Sequence, residues 1–236
     1  MAEDFREVLY TVDKLGRRRW VYSSVVKGRL YRYRLVVAYI LMALYLLMPW
    51  ITINGRQGIL LDFIHQRFVF FGVEFWSTET YFLFLLLGIL AFSLFFFTAL
   101  LGRVWCGWAC PETVFLEFLF RPIERLIEGT PARRRRLDES PWGFEKIWRK
   151  ALKHGLCAFC AWVIATSTMA YFVGREPMLA MMSDWPHKNP GAFLVTLVLM
   201  GLMGFQFVWF REQFCTILCP YARFQGVLMD RFSVVV

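Results

Sequence analysis

Residues 81–101 read YFLFLLLGILAFSLFFFTALL, and the chain continues at 102–111 as GRVWCGWACP. The first stretch holds 21 residues without Asp, Glu, Lys or Arg. About 20 residues at helical rise cover a hydrocarbon core of ~30 Å, so it reads as a membrane-crossing helix. Three further stretches, 35–53, 155–173 and 192–210, run 19 residues each with no such charge. With 58% hydrophobic residues and a mean hydropathy of +0.47, an ordinary water-soluble domain is excluded. The expectation is an all-α membrane protein with four transmembrane helices.

Sides follow from the basic residues, which collect in short cytoplasmic segments. Segments 1–34 and 102–154 carry nine and eleven Lys and Arg, and 211–236 carries three, whereas 54–80 and 174–191 carry two each. Both termini are therefore expected in the cytoplasm, with Arg56, His65, Arg175 and His187 outside. Residues 1–34 read as a basic cytoplasmic segment without a cleavable signal peptide, and 35–236 as the transmembrane domain. The net charge of +9 clusters beside the spans, where it meets anionic lipid; membrane lipid is the expected partner and nucleic acid is not.

The stretch at 106–111, Cys-Gly-Trp-Ala-Cys-Pro, is answered at 215–220 by Cys-Thr-Ile-Leu-Cys-Pro. Each follows an apolar segment, so helices one and two with the first motif match helices three and four with the second. Two parallel helical-hairpin repeats are expected, related by an axis along the membrane normal, each ending in a cytoplasmic CxxxCP motif. In a reducing compartment such thiols are free groups or metal ligands rather than disulfides.

A residue before proline leaves the helical region, and proline suits the first turn of a helix, so Cys110 and Cys219 should each cap a new segment. Arg103 and Arg211 nearby are expected to favour the thiolate. Cys106, Cys110, Cys215 and Cys219 together supply four soft ligands, enough for Cu(I) or for one iron-sulfur cluster. They are the candidate catalytic and metal-binding residues, and the residues alone leave the metal open.

Weaker signals accompany them. Asp62 with His65, and Asp184 with His187, form a candidate second metal site, although wetted interfacial loops explain so short a match better. Cys157 and Cys160, inside the third helix, read as packing. Glu112 to Glu128 reads as an amphipathic helix at the interface, bent at Pro122, and Arg133 to Arg136 as a solvated run.

At these residues the chain resembles the FixG/CcoG (RdxA-like) family. The likeness rests on 102–111, on Ile123-Glu124 with Ile127-Glu128-Gly129, and on Arg211-Glu212-Gln213-Phe214-Cys215 through Cys219-Pro220-Tyr221-Ala222-Arg223-Phe224-Gln225. The Cys spacing also fits the NapH/NosR-type membrane iron-sulfur proteins. The resemblance implies a multi-pass protein of the bacterial inner membrane, a cupric reductase that reduces Cu(II) to Cu(I) for assembly of cbb-type cytochrome c oxidase. Copper ions and oxidase assembly factors or an electron donor are the partners it implies; a second copy of the chain is a further candidate partner. It also implies a cytoplasmic ferredoxin domain and an outer domain, neither of which is encoded within these 236 residues. The alternative is an iron-sulfur electron-transfer subunit passing electrons between quinol and a redox partner.

Overall fold

A computed structural model describes residues 22, 28–53, 55–62, 67–76, 80–101, 104–141, 143–183 and 190–223. Helix α1 is Arg29–Leu47, α2 Thr80–Leu101, α3 Val104–Trp108, α4 Pro111–Phe115, α5 Arg121–Glu128, α6 Pro131–Glu139, α7 Phe144–Val173, α8 Arg175–Ser183 and α9 Pro190–Gly204. Wider π turns cover Leu116–Phe120, Phe205–Phe210 and Phe214–Leu218. Among the described residues three helical stretches are long and apolar enough to cross a membrane: Arg29–Leu47, Phe144–Val173 and Phe193–Phe210. Within α2 the stretch Phe84–Thr98 is a shorter apolar helix. The predominance of apolar helix is the expected all-α membrane architecture.

The segment between α1 and α2 adds a small antiparallel element. Strands β1 (Thr52–Ile53) and β2 (Arg56–Gln57) pair, and β3 (Ile59–Asp62), β4 (Arg67–Phe70) and β5 (Val73–Trp76) form a three-stranded sheet in that order. The β4–β5 turn places Phe71 and Gly72 at φ 50 and 85, the left-handed pair that a two-residue hairpin requires. Gln57 fastens this element to the end of α7, donating to the Ala170 carbonyl at 2.8 Å and accepting from the Arg175 amide at 2.9 Å.

The core lies where the expected interfacial helix was placed. Residues 111–128 run as α4, a π turn and α5, and Val114, Phe115, Leu116, Phe118 and Phe120 are all buried against α1, α7 and Phe207. Phe120 stacks on Phe207 with ring centroids 4.8 Å apart. Pro122 has no amide to donate, and its ring would strike the Phe118 carbonyl in a regular helix. The π turn just before it, where the Arg121 amide bonds the Leu116 carbonyl, absorbs the misfit without a sharp break.

The run Arg133 to Arg136 is not uniformly solvated. Arg134 turns inward, donating to Glu124 at 2.8 Å and Glu128 at 3.1 Å, and Lys153 of α7 reaches Glu128 at 2.7 Å. Both carboxylates are buried. Taking such charges out of water is tolerable only because each is met by an opposite one.

Candidate functional site

The two Cys-Pro motifs adopt the same local backbone. In the first, the Cys110 amide donates to the carbonyl of Trp105, the residue preceding Cys106, at 3.0 Å. In the second, the Cys219 amide donates to Phe214, the residue preceding Cys215, at 2.9 Å. Cys110 (φ −62, ψ 123) and Cys219 (φ −70, ψ 111) are both extended, as a residue before proline must be. Cys110 caps α4 with Pro111 in its first turn, and a helical turn starts at Pro220.

Three polar ties bring the motifs together across the long sequence gap. The Gln206 side-chain amide donates to Glu112, the second residue of α4. Arg121 of α5 pairs with Glu212, and Glu124 of α5 with Arg211. Arg211 holds an uncommon left-handed backbone, φ 47, which turns the chain out of the apolar segment and into the second motif. That conformation costs ~1–3 kcal/mol and persists only where neighbours enforce it. Here they are Glu124 and the Val208 carbonyl, which accepts from Arg211 Nε at 2.8 Å.

Cys215 is the meeting point. Its thiol is pushed up to about 12 by burial first, and then by the negative charge of Glu112, Cys110, Cys219 and Cys106. The charges of the other three motif cysteines thus act on Cys215, and none of the six cysteines is in a disulfide. Arg211 was expected to favour the thiolate; its guanidinium is held by Glu124 instead, and Cys215 moves in the opposite direction. A crowded set of thiolates of this kind is stabilised by cationic metal, which removes the mutual repulsion and replaces lost hydration.

The donor set therefore fits an iron-sulfur cluster: four reduced soft ligands, half-buried, at the end of apolar helices. Among the described residues no group of three or more His, Cys, Asp or Glu stands arranged to hold a metal ion.

Three residues around the site were not among the sequence candidates for it. Arg34 of α1 donates to the Gly107 carbonyl, between the first two cysteines, at 3.1 and 2.8 Å from Nε and Nη2. Glu112 is buried with its Oε1 lacking a partner among the described residues, and burial raises its carboxyl from 4.5 to about 7. Glu124 links α5, α6 and the second motif. The signal for Glu124 and Glu128 was present: two carboxylates one helical turn apart on an amphipathic helix.

Most of the remaining candidates are not described. Asp62 ends β3 in register with Arg67; His65, Asp184, His187 and Arg103 lie outside the described residues. Cys157 is 1% exposed in the apolar core, with Cys160 packed against that cluster, as expected of packing residues.

Residues 81–130, which include α2, the first motif and α5, match the family described as "4Fe-4S binding domain". The chain is 34% identical over 231 residues to "Nitrogen fixation protein FixG" of Rhizobium meliloti, covering 93% of this chain and 43% of that protein. It is 35% identical over 201 residues to "Protein RdxA" of Cereibacter sphaeroides (83% and 42%) and 33% identical over 238 residues to "Protein RdxB" of the same organism (96% and 48%). The chain thus spans less than half the length of these curated relatives. No solved structure matches. With the Cys-Pro motifs, the Glu124–Glu128 pair and the Arg211-Glu212-Gln213 turn all falling within the shared region, the chain belongs to the FixG/RdxA-like family.

Proposed function

We propose that Cys106, Cys110, Cys215 and Cys219 hold one [4Fe-4S] cluster at the cytoplasmic face of the membrane. The chain then works as an electron-transfer module between a lipid-soluble quinol and a redox partner. The observation that carries this reading is the match of 81–130, which includes the first motif, to a 4Fe-4S binding domain; the Glu112–Gln206, Arg121–Glu212 and Glu124–Arg211 ties between the regions of the two motifs support it. A cluster would supply one-electron chemistry, its potential tuned by burial and by hydrogen bonds near the sulfurs. The chain's own part is to fix the ligands: Arg34 holds the first loop, and the ties from Glu112, Arg121 and Glu124 hold the second motif against it.

Four spans as two parallel hairpin repeats, both termini in the cytoplasm of a bacterial inner membrane, fit this placement, because the motifs then face the reducing side. Copper is the second reading, since four thiolates also suit Cu(I), and copper reduction with oxidase assembly partners is what the family resemblance implies. The match to a 4Fe-4S binding domain favours the cluster. Anaerobic purification followed by iron, acid-labile sulfide and copper analysis with paramagnetic resonance decides between them. About four iron and four sulfide per chain are expected; stoichiometric copper without sulfide would overturn the cluster.

A further inference from the structure

The corner between α2 and α3 borders a half-open cavity of about 710 Å³, within the ~300–1,000 Å³ of small-molecule sites. Leu90, Ala91, Leu94 and Phe97 form one wall, and Trp105 and Trp108 the other. Three features set it apart from a gap that lipid chains simply fill. Trp105 and Trp108 each bring an indole N–H, a donor with no acceptor among the described residues. The wall is also part of the first Cys-Pro motif: Ala109 lines the cavity beside Cys110, and Trp105, which lines it too, accepts the Cys110 amide at its carbonyl. Finally, Thr98 at its floor is 2% exposed and donates to the Leu94 carbonyl at 2.7 Å. Its oxygen accordingly accepts from the hydroxyl of Tyr221, two residues beyond Cys219. The cavity thus abuts both motifs.

An acyl chain would leave the indole donors without partners. A flat, lipid-soluble ring with carbonyl oxygens meets both requirements, since its face packs on indole and its oxygens accept the N–H bonds. Leu87 and Phe97 at the mouth are exposed, leaving a path by which an apolar tail continues into the hydrocarbon. We propose that this cavity is the binding site of an isoprenoid quinone, with its head group against Trp105 and Trp108. The inference deepens the electron-transfer reading by giving the lipid-soluble carrier a place beside the ligands; it rests on that reading for its purpose but not for its occupancy.

The full chain in phosphatidylcholine nanodiscs, titrated with decylubiquinone and followed by tryptophan quenching and by quinone extracted per chain, tests it. One quinone per chain is expected. Ala91→Phe, which fills the cavity from the lipid-facing helix, should weaken binding at least about tenfold. Trp108→Phe, which keeps a ring but removes a donor, should weaken it about fivefold, equivalent to the ~1 kcal/mol of one neutral hydrogen bond. Leu90→Trp fills the same space and serves if Ala91→Phe is not monodisperse. Uptake that rises linearly with lipid, or saturable binding indifferent to the filling variants, would overturn the site. The same titration on the Cys106→Ser/Cys215→Ser chain separates the two readings. Normal iron in wild type without quinone binding removes the cavity proposal alone, while quinone binding in a wild type that holds no iron removes the cluster reading alone.

Discussion

Arg34 Nε and Nη2 both donate to the carbonyl oxygen of Gly107, at 3.1 and 2.8 Å, so a guanidinium from the first membrane helix holds the loop between Cys106 and Cys110. The same group lies 5.9 Å from the centroid of Phe118. Charge-assisted bonds of this type contribute ~1.5–3 kcal/mol. Arg34→Ala should therefore loosen the first pair of ligands and lower retained iron and sulfide several-fold, while Arg34→Lys, a point charge without the fork, restores only part. Iron per chain and the paramagnetic signal of the reduced protein read this out.

If the four cysteines form one site, Cys106→Ser and Cys215→Ser should each remove most of the bound metal, and the double variant should lose little more. Serine keeps the size but offers a harder, poorly ionised ligand. Additive half-losses in iron content would mean two separate two-thiol sites.

Glu124 meets Arg134 and Arg211 in the interior. Glu124→Gln leaves two buried guanidinium groups short of a counter-charge and should cost ~3–5 kcal/mol. Adding Arg134→Met should recover part of that loss, since removing a charge with its partner is less harmful than stranding it. Thermal midpoints in detergent for the two singles and the double test the coupling.

Burial raises Glu112 from the ordinary 4.5 to about 7, with the Gln206 hydrogen bond opposing the change. The folded chain accordingly holds this proton more tightly than the unfolded one. Between about pH 4.5 and 7 the folded form keeps a proton that the unfolded form has lost, so stability falls as pH rises through that window, by on the order of 3 kcal/mol. Glu112→Gln should flatten this part of the pH–stability profile of the metal-free chain. A profile unchanged by the substitution would mean that Glu112 is ionised in the folded state.

The expected sides are accessible to labelling. In intact cells, Arg56→Cys should react with an impermeant thiol reagent and Arg133→Cys should not, each in a chain whose own six cysteines react as measured controls. The reverse pattern would place the Cys-Pro motifs on the oxidising side.

Sequence by itself determined the features that depend on composition and on near neighbours. A stretch such as 81–101 has no favourable place in water whatever surrounds it, and the backbone at Cys110 and Cys219 is extended because proline follows each of them. That is also why the two motifs share one local geometry. The small sheet after α1 was less legible, since its left-handed turn uses Phe71 beside Gly72 rather than a recognisable pair of turn residues.

Only the tertiary structure decided how the halves meet. Residues 112–128 carry an amphipathic pattern that suits a membrane surface as well as a protein interior, and the choice was made by partners far away in the chain: α1, α7 and Phe207 on the apolar side, Arg134, Lys153 and Arg211 on the polar side. Arg211 could stabilise a thiolate or a carboxylate at equal chemical plausibility; Glu124 is what lies within its reach. Pairings such as Glu112–Gln206, Arg121–Glu212 and Arg34–Gly107 bridge about 70 to 95 positions. They arise when apolar helices pack and leave buried polar groups to find one another, a constraint that no local spacing records.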